Sequence, residues 1–164
     1  LSRNIKSSNF TNAQFDISKW TTINNEFYIF TDGSSRKSKS TTQIASVNSG
    51  LGVYFGRDCI NIKEQYSNKT NNQCELMAIY YAFSTIVSNW QQIMELAKVI
   101  KIVSDSEYSI KACSIWIREW KTNNWKTKTG DDVKNRDIIE NIDNLMNQIK
   151  LIQLNLLFIR FNLN

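Results

Sequence analysis

Tyr28-Ile29-Phe30-Thr31-Asp32-Gly33-Ser34 is an aromatic and β-branched run that breaks off into an acid, a glycine and a serine. Glu26 to Thr31 has the composition of a buried strand, and Asp32 stands where that strand is expected to end. A second segment repeats the pattern: Lys98 to Val103 is β-branched and leads through Ser104 into Asp105-Ser106-Glu107. A carboxylate at the end of a buried strand, away from a solvated face, requires a cation. Between the two lies a third acid, Glu75. From Asn72 to Trp90 the apolar residues Leu76, Ile79, Tyr80, Phe83, Ile86 and Val87 recur at helical spacing, with Asn71 or Asn72 as the cap. Glu75 therefore falls in the first helical turn.

Leu51 to Phe55 and Ile60 to Tyr66 read as two further strands flanking Arg57-Asp58, while Gly33 to Asn48 is polar and turn-rich. A three-stranded antiparallel meander is expected. A strand that follows an intervening helix usually joins the sheet parallel to an earlier one, so Lys98 to Val103 should lie parallel to the first strand. Asp32 and Asp105 then emerge at the same sheet edge, and the helix start carries Glu75 toward them. Helical turns over Tyr108 to Trp120, a polar basic segment over Lys121 to Lys134, a helix over Arg136 to Lys150 and a strand over Leu151 to Ile159 complete an α/β chain. Residues 1–25 are rich in Ser, Asn and Thr and show no period, which predicts a linker or tail ahead of a domain over 26–164.

With 164 residues, 41% of them hydrophobic, the chain can bury the core of one domain. A net charge of +5 is too modest to identify a nucleic-acid binder by itself. Cys59, Cys74 and Cys113 are an odd set without C-x-x-C spacing, which argues against a disulfide framework or a zinc site and fits a reducing, intracellular setting, cytoplasmic or nuclear. No apolar stretch approaches the roughly 20 residues of a membrane helix, so no membrane partner is expected. The absence of histidine excludes Ser-His-Asp and Cys-His catalysis, leaving carboxylates, lysines or metal. Clustered acids without Cys or His favour magnesium, or else manganese, over zinc.

Trp116, Trp120 and Trp125 interleave with Arg118, Lys121, Lys126 and Lys128, the mixture of flat apolar surface and cations that suits a nucleic-acid groove. The competing reading is a core-facing stripe, since Trp116 and Trp120 are spaced i to i+4.

These pieces in this order resemble ribonuclease H of type 1, the endonuclease that cuts the RNA strand of RNA/DNA hybrids. The resemblance spans about Glu26 to Arg160. It is carried by the 28–34 run, Gly50-Leu51-Gly52-Val53-Tyr54-Phe55-Gly56, Thr70-Asn71-Asn72-Gln73-Cys74-Glu75-Leu76-Met77-Ala78, Ser104-Asp105-Ser106-Glu107-Tyr108, and the segment Trp116 to Thr127. It implies a five-stranded mixed sheet flanked by helices and a magnesium site of two ions about 4 Å apart, held by Asp32, Glu75 and Asp105 as catalytic ligands. It further implies that Asn72 or Gln73, and the backbone at Ser34 and Ser35, face the RNA strand. Thr70 and Asn135 match a pocket for a DNA-strand phosphate in which Asn68 replaces the usual arginine. Tyr108, Trp116 and Trp120 align with the DNA-strand channel, with Lys121, Lys126 and Lys128 on a basic protrusion. The expected partner is an RNA/DNA hybrid, and the expected state a monomer.

After Phe158-Ile159-Arg160 the family's histidine loop and final helix, with a fourth acid, have no counterpart. The expectation is a domain without that helix and with weakened hydrolysis. The alternative is a relative that binds hybrids without cleaving them.

Overall fold

The computed structural model describes residues 16–37 and 47–161. Strand β1 (Thr22–Ile23) turns into β2 (Glu26–Lys37), followed by β3 (Val47–Tyr54) and β4 (Ile62–Ser67). Helices α1 (Asn71–Ser88) and α2 (Trp90–Leu96) lead to β5 (Val99–Ser104). Short helices α3 (Glu107–Lys111) and α4 (Ile117–Thr122) are joined by a π-turn over Ala112–Trp116, and α5 (Arg136–Leu151) and β6 (Asn155–Arg160) close the order.

The sheet runs β4-β3-β2-β5-β6, with β1 added to β2. β2, β3 and β4 form the expected antiparallel meander, and β5 and β6 lie parallel to β2 and to each other. Along β2 the residues Phe27, Ile29, Thr31 and Gly33 are buried while Phe30, Asp32 and Ser34 are exposed. The buried row faces α1, whose Leu76, Ile79, Phe83 and Ile86 are inaccessible to solvent. Burying these side chains stabilises the layer by about 1.5–3 kcal/mol each relative to exposure.

Two features depart from the sequence reading. β2 does not stop at Thr31 but continues to Lys37, because Gly33 to Lys37 pair in register with Leu51 to Val47 of β3. Cross-strand pairing overrides the weak strand propensity of Gly-Ser-Ser. The tail expected over 1–25 also begins to fold earlier: Ile17 and Trp20 are 2% and 3% exposed, and Trp20 stacks on Phe55 with ring centroids 4.7 Å apart. Asn24 and Asn25 take positive φ values of 53° and 62°, the backbone of a two-residue hairpin turn, and tie this segment to β2. Residues 1–15 lie outside the described residues, as does whatever would follow β6 beyond Phe161. All three cysteines are free. Among the described residues no helix is long and apolar enough to cross a membrane.

Candidate active site

β5 accompanies β2 only as far as the Phe30↔Val103 pair. Beyond that point one flank of β2 is open, and Asp32 follows two residues later on the exposed face. Asp105 comes directly after the end of β5 at Ser104, whose backbone carbonyl accepts a 2.9 Å hydrogen bond from the Phe161 N–H. Helix α1 supplies the third acid. Its start is held by a capping box at Thr70, in which the Thr70 hydroxyl accepts from the Gln73 N–H (3.2 Å) and the Gln73 side-chain oxygen accepts from the Thr70 N–H (2.9 Å). The cap is therefore Thr70 and neither Asn71 nor Asn72, because only Thr70 has a γ-oxygen three residues ahead of a glutamine.

Gly33 lets this helix end press against β2. A Cβ there would collide with the backbone of Cys74 and lie 2.8 Å from the Glu75 Cα. The close approach puts Glu75 at the open flank, and one carboxylate oxygen from each of Asp32, Glu75 and Asp105 lies within 4.8 Å of the others. Asp32 and Asp105 are exposed, whereas Glu75 is only 3% exposed and its Oε2 is buried without a hydrogen-bond partner. Burial first, then the charge of Asp105 and more weakly that of Asp32, push the Glu75 carboxyl up to about 8 against an opposing hydrogen bond from the Gly33 backbone. An orphaned buried oxygen among mutually repelling acids fits a divalent cation, and an all-carboxylate donor set suits magnesium or manganese.

The other expected contacts divide. Ser34 is exposed beside Asp32, but the Ser35 hydroxyl donates to the Lys69 carbonyl (2.8 Å), as does Ser49 (2.7 Å), so Ser35 fastens β2 to the loop before α1. Asn68 takes a left-handed φ of 61° and its N–H donates to Val47, which explains an asparagine there. Asn135 also has a left-handed φ of 61° and donates from Nδ2 to the Tyr108 hydroxyl (3.3 Å). Asn135, Tyr108, Trp120 and Asn72 line one cavity at the start of α1, the helix that Thr70 caps.

Tyr108, Trp116, Trp120 and Trp125 form a ladder with successive ring centroids 6.0, 5.8 and 6.3 Å apart, and Arg136 lies 5.0 Å over Trp125. The core-stripe reading holds in part, since Trp116 and Trp120 are half-buried against the core, and the remainder of each ring stays in solvent. Lys121 pairs with Asp143 and Lys126 with Asp132, each at 2.6 Å, while Lys128 is exposed. After α4 ends at Thr122 the 123–134 segment is a loop, pinned by the Lys126↔Asp132 bridge and by a Val133 N–H to Trp125 carbonyl bond of 3.0 Å. Sequence reading missed these acids because ion pairing across a loop has no fixed spacing.

The family described as RNase H matches residues 24–156. Ribonuclease H of Clostridium botulinum (strain Hall) is 33% identical over 119 residues, covering 72% of this chain and 73% of that protein. Ribonuclease HI of Haemophilus influenzae is 30% identical over 123 residues, covering 75% and 71%. Ribonuclease H of Schizosaccharomyces pombe is 34% identical over 121 residues, but the match spans only 40% of its length. Among solved structures, the PFV RNase H domain superposes with a TM-score of 0.54 at 17% identity, covering 82% of this chain and 78% of that one. LC11-RNase H1, isolated from compost, gives 0.53 at 16% identity and 84% coverage of each. At such identities the superpositions show a shared fold.

Proposed function

The chain belongs to the ribonuclease H family, and from that premise we propose that it is an endonuclease hydrolysing the RNA strand of RNA/DNA hybrids at Asp32, Glu75 and Asp105. The observation that carries this reading is the convergence of three carboxylates from β2, α1 and the end of β5, with one buried oxygen left without a partner. Two divalent cations, magnesium or manganese, would polarise the scissile phosphate and lower the pKa of an attacking water. The chain's own residues divide the remaining work. Glu75, fixed by the close approach at Gly33, anchors the site from below, and the exposed Asp32 and Asp105 present oxygens to the substrate side. At the three acids, water and the carboxylates themselves are the groups placed to move a proton.

On the substrate side, Asn72 and the Nε2 of Gln73 stand at the first turn of α1, where free helix N–H groups also attract phosphate oxygens. With Ser34 and the backbone at Ser35 they are suited to sensing 2′-hydroxyls. The Tyr108, Trp116 and Trp120 ladder, with Asn135, Lys121, Lys126 and Lys128 around it, offers the DNA strand a flat face edged with cations. In this reading the domain acts as a monomer, and the unpaired cysteines suit an intracellular setting.

The test is cleavage of an RNA/DNA hybrid with magnesium, with manganese and in excess chelator, against single-stranded RNA. Metal-dependent cleavage confined to the hybrid and lost in Asp32→Asn supports the proposal. Cleavage that persists in chelator ends it. Salt-sensitive hybrid binding with no turnover in either metal would instead support the noncleaving alternative.

A further inference from the structure

On the sheet face that carries Asp32, the cross-strand register sets up two short rows. Lys63, Gly52 and Asp32 face one another across β4, β3 and β2, and Gln65, Gly50 and Ser34 form the next row. Residues directly opposite in a sheet project to the same face, so each row has a polar side chain at either end and a bare glycine between. The result is a trough floored by β3. Its two adjoining cavities share Ser34, Gly50 and Gln65, one reaching Asp32 and Lys63 and the other reaching Arg36.

Packing does not demand a glycine at position 52. A Cβ there would meet nothing nearer than the Ile62 carbonyl at 3.9 Å, an ordinary contact, whereas at Gly50 it would lie a tight 3.3 Å from the Glu64 carbonyl, so it is Gly52 that packing leaves unexplained. Neither residue has a left-handed backbone. Glycine inside a strand is destabilising, and its occurrence without a conformational reason marks a place where another molecule approaches the backbone closely. The cations agree with this. Among the described residues Lys63 and Arg36 are exposed and make no ion pair, unlike Lys121 and Lys126.

We infer that this trough seats the RNA strand as it leaves the acid cluster, with Lys63 and Arg36 holding phosphates and Ser34 and Gln65 meeting the sugar edge. The inference rests on the hydrolase reading, since a strand cut at Asp32 must run on across a neighbouring surface. Gly50 and Gly52 are specificity-determining through the space they leave. The occupant is a phosphodiester strand because the trough is polar, opens from the acid cluster at Asp32 and is edged by the unpaired cations Lys63 and Arg36.

The test is a gel-shift titration of an RNA/DNA hybrid in chelator, where no turnover occurs, together with cleavage assays in magnesium. Gly52→Val, which fills the trough with a strand-favouring side chain, is expected to keep or raise the melting temperature, weaken hybrid binding about tenfold and raise KM with little change in kcat. Lys63→Ala and Arg36→Ala should each lower the slope of log affinity against log salt by about 0.7 to 1. These two exposed positions keep the inference falsifiable if Gly52→Val misfolds. A parent chain that cleaves hybrid while all three variants bind with its affinity and salt slope overturns the trough and leaves the hydrolase reading intact. A parent that neither binds nor cleaves hybrid overturns both.

Discussion

At the sheet edge three carboxylates meet with no ion-pair partner among the described residues, whereas two lysines along the tryptophan ladder are matched by acids of the same chain. Lys121 has Asp143, Lys126 has Asp132, and Arg136 has both Glu140 and the face of Trp125. Both regions are charged, yet one is left unbalanced and the other nearly neutralises itself. The imbalance at Asp32, Glu75 and Asp105 is expensive where Glu75 is buried, and it is of the kind a divalent cation would offset. The ladder is stable without a ligand. Its pairs are exposed, so each contributes only about 0–1 kcal/mol and can be exchanged for a phosphate at little loss.

The contrast can be broken most severely at the acid site. Asp32→Asn or Asp105→Asn should reduce hybrid cleavage by about 10³-fold or more, matching loss of roughly 4 kcal/mol of charge stabilisation, while leaving the melting temperature of the metal-free protein unchanged or higher. Steady-state cleavage and thermal unfolding on the same samples check this. A drop in melting temperature would mean that the acids support the fold.

Next in size is Gly33→Ala. The added methyl would push the start of α1 off β2, lowering stability by about 2–3 kcal/mol and cleavage with it. Denaturant unfolding reads the first effect. The same change at Gly52 should be nearly silent in stability, since 3.9 Å of space is present there.

A third prediction concerns pH. The Glu75 carboxyl is raised from its usual 4.5 to about 8, so between those values the folded protein holds a proton that the unfolded chain has released. Metal-free stability should therefore fall as pH rises from about 4.5 to 8, by on the order of 1–4 kcal/mol. Glu75→Gln should flatten the slope, because a neutral amide has no proton to lose and can donate to the carboxylates of Asp32 and Asp105. Saturating magnesium should flatten it too, since the cation replaces the proton. A slope that survives both changes would place its origin elsewhere.

The smallest effect belongs to the ladder. Asp132→Asn frees Lys126 and should tighten hybrid binding by less than tenfold, with a steeper salt dependence and no change in kcat. Lys128→Ala, at a lysine without a partner among the described residues, should reduce the salt slope more than Lys121→Ala.

Much of the fold was legible because its information is local. The aromatic and β-branched runs before Asp32 and Asp105 became strands, and the apolar period over Asn72 to Trp90 became α1, since propensity and burial periodicity act over a few residues. The same locality explains where reading along the chain fell short. Nothing in Ser34-Ser35-Arg36-Lys37 announces a strand, and those residues extend β2 because β3 pairs with them. Trp20 sits in a polar stretch and enters the core through contacts with Phe27 and Phe55. Asn135 donates to the Tyr108 hydroxyl across 27 positions of sequence, a contact that no spacing rule announces.

By itself the order of residues determined which acids stand at element ends and that carboxylates grouped without Cys or His suit a hard cation. Tertiary structure alone decided that the three carboxylates come within 4.8 Å, that Glu75 is buried with an unpartnered oxygen, and that Gly52 and Lys63 share a row with Asp32. The reason is that burial and electrostatic coupling depend on distance in space, and strand register brings together residues that lie tens of positions apart in the chain.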